Sequence, residues 1–200
     1  MPVTVYKVGG SLFSLPDLAA RLGQIIQRDG DEFPLIVAGG GEAANLVRQW
    51  DDRFQLSNDC SHRLALQAME LNEGLLLEIL GGSVLVQTRD EATAAWNNRQ
   101  IPVLNAVNFI DAEENASATS LPATWELTSD SISAWVSERW PADRLVLVKS
   151  TELPADLNVT EAAEIGLVDE CFPEYSANLH KIDWVNLRSE SQASVRWNVR

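Results

Sequence analysis

The sequence predicts an α/β protein built on a mainly parallel sheet. Three observations carry that reading. Short apolar, β-branched runs recur between helix-length segments, at Val3–Val8, Leu35–Ala38, Val84–Val86, Ile101–Leu104 and Leu145–Val148; strands that alternate with helices in this way pair in parallel. Two of the runs end in glycines, Gly9-Gly10 and Gly39-Gly40-Gly41, as tight strand-to-helix turns do. The chain has 200 residues, 46% of them hydrophobic, which is enough to bury a full core.

Taken in order, Val3–Val8 opens the sheet. After it, Leu15-Pro16-Asp17-Leu18 running to Ile25 and Ile26 spaces apolar residues at three and four, which predicts an amphipathic helix leading to Leu35–Ala38. A second helix is expected from Gly41 through Arg48. A long third one is expected from Cys60 to Leu80, with Leu64, Ala68, Leu71, Leu75 and Ile79 on the face that packs on the sheet. Asp111–Ser120 is acidic, small and poor in large apolar side chains, so it reads as an exposed loop and a soft boundary between residues 1–110 and 111–200 of one domain. Ser129 or Asp130 then caps a helix running through Ile132 and Trp135 to Arg139, before Pro141. Arg144-Leu145-Val146-Leu147-Val148-Lys149 is a strand with a lysine at its carboxyl end.

Composition narrows the function. A formal net charge of −14 disfavours nucleic acid and anionic membranes as partners, since both reward clustered Lys and Arg. The two cysteines, Cys60 and Cys171, lack metal-ligand spacing and imply neither a zinc site nor a disulfide framework; a reducing cytoplasm suits them. No stretch combines a basic start with an apolar core as a secretory leader does, and none approaches the roughly 18 apolar residues of a membrane span.

Chemistry concentrates where strands end. Lys7-Val8-Gly9-Gly10-Ser11 carries a lysine into a two-glycine turn, in the opposite order to a Walker A loop. Gly39-Gly40-Gly41 opens a helix whose amino-terminal N–H groups and dipole favour an anion. In open parallel sheets the ligand crevice lies beyond the carboxyl ends of the strands, so these loops and Lys149 are expected to meet there. An ammonium at Lys7 suits the charge spread over a phosphoryl group in transfer, and Asp130 is placed to orient Lys7 and Lys149. Thr128, Ser129 and Ser131 offer hydroxyls to phosphate, although such hydroxyls also serve as ordinary helix caps.

These residues resemble the amino acid kinase family. Lys7-Val8-Gly9-Gly10-Ser11 matches its first phosphate loop, Gly39-Gly40-Gly41 its substrate-side glycine loop, and Thr128–Ala134 the helix start whose aspartate organises the lysines, while Ile101–Asn105 resembles its central strand. The resemblance implies a three-layer αβα sandwich with an acceptor half over 1–110 and a shortened nucleotide half over 111–200. It implies ATP with Mg²⁺, a small anionic acceptor (a phosphate or carboxylate) and a homodimer. Lys7, Asp130 and Lys149 are then the catalytic set. Gly9, Gly10, Ser11, Thr128, Ser129 and Ser131 would hold ATP phosphates, and Gly39, Gly40, Gly41 and His62 the acceptor. No metal ligand is named by the sequence. Trp125–Ser131 with Leu147–Ser150 resembles a small subgroup tied to one-carbon cofactor biosynthesis. Two departures are plain: Val148-Lys149-Ser150-Thr151 replaces the usual Thr-Asp or Ser-Asp after the nucleotide-side strand, and few residues follow Asp130. They leave open a catalytically silent member that binds a nucleotide or metabolite in a regulatory or assembly role. A third reading, a structural α/β domain without a nucleotide, predicts that the two lysines and Asp130 lie apart.

Overall fold

The computed structural model describes residues 2–30, 33–117 and 120–197. Its element order is β1 (Val3–Val8), a 3-10 turn (Gly10–Ser14), α1 (Leu18–Asp29), β2 (Phe33–Ala38), α2 (Gly41–Phe54), α3 (Asn58–Ile79), β3 (Ser83–Val86), α4 (Arg89–Asn97), β4 (Ile101–Leu104), α5 (Ala106–Ala116), α6 (Ser129–Arg139), β5 (Arg144–Lys149), α7 (Val159–Glu164), α8 (Phe172–Ser176), β6 (Ile182–Asn186) and β7 (Ser194–Trp197). The sheet runs β3-β4-β2-β1-β5-β6-β7. All its neighbours are parallel except β6 and β7.

Strand alternation sends successive side chains to opposite faces, and two cores result. Val3, Val5, Leu35, Val37, Leu145 and Leu147 face one core, closed by residues of α3 to α8. Tyr6, Val8, Ile36, Val146 and Val148 face the other, against Leu18, Leu22 and Ile25 of α1. Helices on both faces of the sheet make the expected αβα sandwich. Leu22 and Ile25 are fully buried, and each such side chain contributes about 1.5–3 kcal/mol by leaving water. α1 ends at Gly30, whose φ of 66° gives the left-handed turn that stops a helix. Among the described residues no helix is long and apolar enough to cross a membrane.

Four expectations change. Asp111–Ala116 is helix, not loop: the Asn105 side chain accepts from the Asn108 N–H at 2.8 Å, Phe109 and Ile110 are buried, and the following alanines and glutamates are good helix formers. Ala118 and Thr119, at the end of that stretch, lie outside the described residues. In α3 the expected apolar stripe is buried at Ala68 and half-buried at Leu64, but its second half is not. Leu71, Leu75 and Ile79 are exposed, whereas Leu66, Met69, Asn72, Glu73 and Leu76 are buried, because Asn72 and Glu73 find hydrogen-bond partners inside. Ile101–Leu104 lies second from one edge, and β1 takes the centre. Finally, β6 and β7 extend the sheet beyond the five expected strands.

Candidate active site

Register places the two lysines together. Lys7 pairs with Leu147 across β1 and β5, so Lys149 stands two residues further along β5, and both side chains leave the sheet on the face that α6 covers. Asp130, in the first turn of α6, comes down between them. Lys7 Nζ lies 2.7 Å from Asp130 Oδ1 and Lys149 Nζ 2.7 Å from Oδ2. Lys7 is 3% and Asp130 6% exposed. Burial pushes the Asp130 carboxyl up, but the Lys149 and Lys7 ammonium groups outweigh it and hold the acid at about 2. Burial lowers Lys149 to about 8 against the pull of Asp130, with Lys7 adding repulsion. A fold in which these three residues lie apart is thereby excluded.

The two glycine loops touch backbone to backbone. A Cβ on Gly10 would fall 2.1 Å from the Gly41 nitrogen, and one on Gly41, whose φ is 56°, would fall 2.4 Å from the Gly10 carbonyl oxygen; no other residue fits either place. Gly9 and Gly39 stand behind this contact. The Gly9 N–H donates to Val148 O at 2.8 Å, and the Gly39 N–H to Val8 O at 2.9 Å, so both tie neighbouring strands. Asn72 from α3 donates to Gly39 O at 2.6 Å and fixes the second loop from below.

Gly10, Gly40 and Gly41 open onto a cavity of about 480 Å³, with Ser11, Ser129, His62, Arg48, Trp125 and Arg188 also in its wall. Burial pushes the His62 imidazole below its ordinary range, against the upward pull of Glu114 and Asp59. Arg48 stacks on the Trp125 ring at 4.7 Å, and the ring is pinned by its Nε1 donating to Asp51 at 2.6 Å. A second cleft, lined by Asp130, Lys149, Thr128, Leu167 and Asp169, shares Arg48, Trp125 and Thr128 with the first. The cavity and the cleft thus meet at the start of α6.

That start is not arranged as the sequence suggests. The helix is capped at Thr128, not at Ser129 or Asp130, and its capping carboxylate comes from far along the chain. Asp169 accepts from the Thr128 N–H at 3.0 Å, the Thr128 hydroxyl at 2.7 Å, the Ser131 N–H at 3.0 Å and the Ser131 hydroxyl. Thr128 and Ser131 therefore hold an internal anion, while Ser129 remains in the cavity wall. The same loop supplies Leu167 O, which accepts from Lys149 Nζ at 2.8 Å. Ser11 Oγ is 3.0 Å from Ser150 Oγ. Arg188, beyond β6, donates to Ser11 O and Ser14 Oγ at 3.1 and 3.0 Å.

Sequence reasoning did not find Asp169, Asn72 or Arg188. Asp169 and Arg188 lie in segments without a motif and reach the site only through the fold. Asn72 gave a faint signal, as a polar side chain one helical turn from Met69 and Leu76.

Comparison with known proteins gives the family. Residues 2–153 match the model of the amino acid kinase family. The chain belongs to the amino acid kinase family. Two relatives are kinases. One, (5-(aminomethyl)furan-3-yl)methyl phosphate kinase of Methanocaldococcus jannaschii, is 28% identical over 180 residues, covering 84% of this chain and 80% of the relative. The other, uridylate kinase of Pyrobaculum calidifontis, is 30% identical over 122 residues, 60% of this chain and 55% of the relative. The UMP kinase of Bacillus anthracis superposes with a TM-score of 0.65 at 15% identity, covering 99% of this chain and all of that one, which supports the fold. This member of the family is accordingly a phosphotransferase.

Proposed function

We propose that this protein moves the γ-phosphoryl group of ATP to a phosphate oxygen of a small anionic acceptor bound in the Gly10–Gly40–Gly41 cavity. The observation that carries the reading is Asp130, which holds two ammonium groups at 2.7 Å each beneath the contact of the two glycine loops. An acceptor oxygen attacks the γ-phosphorus, the bond to the β,γ-bridging oxygen breaks, and ADP departs with that electron pair. The acceptor is already ionised, so no proton must be removed and no strong base is required. Lys7 and Lys149 are the groups that balance the charge of the transferring phosphoryl, Asp130 keeps both in place, and the Gly10, Gly40 and Gly41 amides with Ser11 and Ser129 line its path. His62 and Arg48 are on the acceptor side.

Magnesium enters on the triphosphate as MgATP; among the described residues no group of three or more His, Cys, Asp or Glu is placed to hold a metal. A relative that acts on an aminomethylfuran-type phosphate supports a phosphate monoester over a carboxylate as acceptor, and one-carbon cofactor biosynthesis as the setting. The free thiols of Cys60 and Cys171 suit a reducing cytoplasm. Self-association as a homodimer belongs to the same reading, through apolar stripes on α2 and α3.

One observation favours the silent alternative. Asp169 fills the amino terminus of α6 and Leu167 O engages Lys149, where nucleotide phosphates would otherwise find donors. Calorimetric titration with MgATP and MgADP, alongside ADP release on a panel of phosphate monoesters, separates the two readings. The kinase reading expects binding and turnover, with turnover lost in Lys7→Ala. Absence of nucleotide binding by the wild type would sink it, and binding without turnover would favour the silent protein.

A further inference from the structure

Asp130 Oδ1 ion-pairs with Lys7. Beyond it, three buried side-chain oxygens among the described residues have no hydrogen-bond partner: Ser61 Oγ, Thr124 Oγ1 and Glu73 Oε2. Two of the three belong to one place. Ser61, in the first turn of α3, and Thr124, in the segment before α6, both line the cavity that holds Gly10, Gly40 and Gly41. Ser61 is only 2% exposed.

Native folds leave few such groups, because a buried hydroxyl without a partner costs about 1–3 kcal/mol relative to a satisfied one. Alanine at 61 and valine at 124 would fill nearly the same space without that cost. Two orphan hydroxyls from separate elements in a single wall therefore point to a ligand that supplies their partners. A hydroxyl turns about one bond and both donates and accepts, so each can be presented to the cavity by rotation. Neither carries charge. The carboxylate in the wall of this cavity is Glu42, directly after Gly41 and thus at the glycine end.

Resting on the acceptor reading above, we infer that the cavity selects a small phosphate monoester bearing a second, uncharged hydrogen-bonding group, and that Ser61 and Thr124 are the side chains that recognise this group. The phosphate lies with the glycine loops. The body of the acceptor packs on Leu66, Met69, Leu127 and Ile132 with Trp125 beside it, which all line the same space.

Titration calorimetry with benzyl phosphate and 3-(hydroxymethyl)benzyl phosphate tests this. The wild type binds the hydroxymethyl compound about tenfold more tightly, the value of one well-made hydrogen bond. Ser61→Ala and Thr124→Val each narrow the difference, and together they abolish it. Affinity for benzyl phosphate stays as it was, and the melting temperature of the free protein holds or rises, since an unsatisfied group has been removed. Equal binding of the two compounds by the wild type, no binding of either, or a preference that survives in the double variant would overturn the inference. So would a drop in melting temperature with equal weakening of both ligands, which marks a purely structural role. Tighter binding of 3-(aminomethyl)benzyl phosphate than of the hydroxymethyl compound would overturn the uncharged assignment. A preference that behaves as expected without any MgATP-dependent turnover leaves this inference standing and defeats the kinase reading instead.

Discussion

Asp130, Lys7 and Lys149 form a buried charged triad. A buried ion pair is costly to assemble and more costly to break, because the abandoned partner stays buried and unpaired. The Asp130 carboxyl lies at about 2, below its ordinary value of 3.8, since the two ammonium groups overcome burial. Its contribution to stability is therefore complete above the unfolded value and is lost as pH falls through about 2. Lys149 is the member that titrates near working pH. With burial lowering it to about 8, its ammonium is present at neutral pH and disappears as pH rises through that value. Under the kinase reading, kcat/KM for MgATP falls on the alkaline side with a midpoint near pH 8. Lys149→Arg keeps its charge throughout, so in that variant the alkaline limb moves to about pH 10 or beyond. A pH–rate profile of both proteins checks this, and a limb unchanged by the arginine would assign the titration to another group.

At the scale of the element, α3 serves the site twice, with its first turns in the cavity wall and with its later residues from behind. Asn72 holds the Gly39 carbonyl, and the next residue, Glu73, accepts from the Ala106 N–H at 3.1 Å, at the amino terminus of α5. Glu73 is 1% exposed, and burial, aided by the neighbouring Glu70 charge and opposed by the Ala106 bond, raises its carboxyl to about 7. The folded state thus binds more protons than the unfolded one between the ordinary value of 4.5 and about 7. Stability from this group is fully present below 4.5 and lost as pH rises through about 7. Glu73→Gln keeps the acceptor and removes the titration, so its urea midpoint changes less than that of the wild type between pH 5 and pH 8. Identical pH dependence in the two proteins would refute the assignment. The same helix marks how far the sequence could be read. Its length was legible from periodicity. Its buried face was not, because an apolar pattern cannot reveal that Asn72 and Glu73 have partners waiting inside, nor that Leu71 and Leu75 do not. β6 was hidden for a related reason: Asp183, its second residue, is 3% exposed, held by Arg144 at 2.5 Å and by Arg196, and in sequence it reads as a polar interruption. Lys7, Asp130 and the glycines were legible because strand-end glycines and a lysine in an apolar run are local signals. Asp169 was not, since its place at α6 depends on chain far away.

Across the whole molecule, one seven-stranded sheet takes strands from both residues 1–110 and residues 111–200, and β1, which carries Lys7 and leads into the first glycine loop, lies at its centre. The surface carries a pattern that this sheet does not explain. On α2, Leu46, Trp50 and Phe54 recur every fourth residue and are 44%, 40% and 64% exposed; on α3, Leu71, Leu75 and Ile79 do the same at 66%, 41% and 41%. The two helices pack against each other. A chain with a net charge of −14 repels copies of itself, yet exposed apolar stripes of this kind are costly in water unless something covers them. If a second copy does, the wild type sediments at twice the chain mass of 22.0 kDa, and added salt strengthens the association by screening the acidic surfaces. Phe54→Glu with Leu71→Glu places charge in both stripes and shifts the protein to a monomer with its circular dichroism spectrum intact. Because α2 begins at Gly41, beside Gly10, the helix that carries one stripe also carries the second glycine loop, and acceptor affinity is expected to weaken on dissociation. Sedimentation velocity at micromolar concentration decides the matter: a wild-type monomer, or a dimer untouched by the two glutamates, would remove these stripes from the interface.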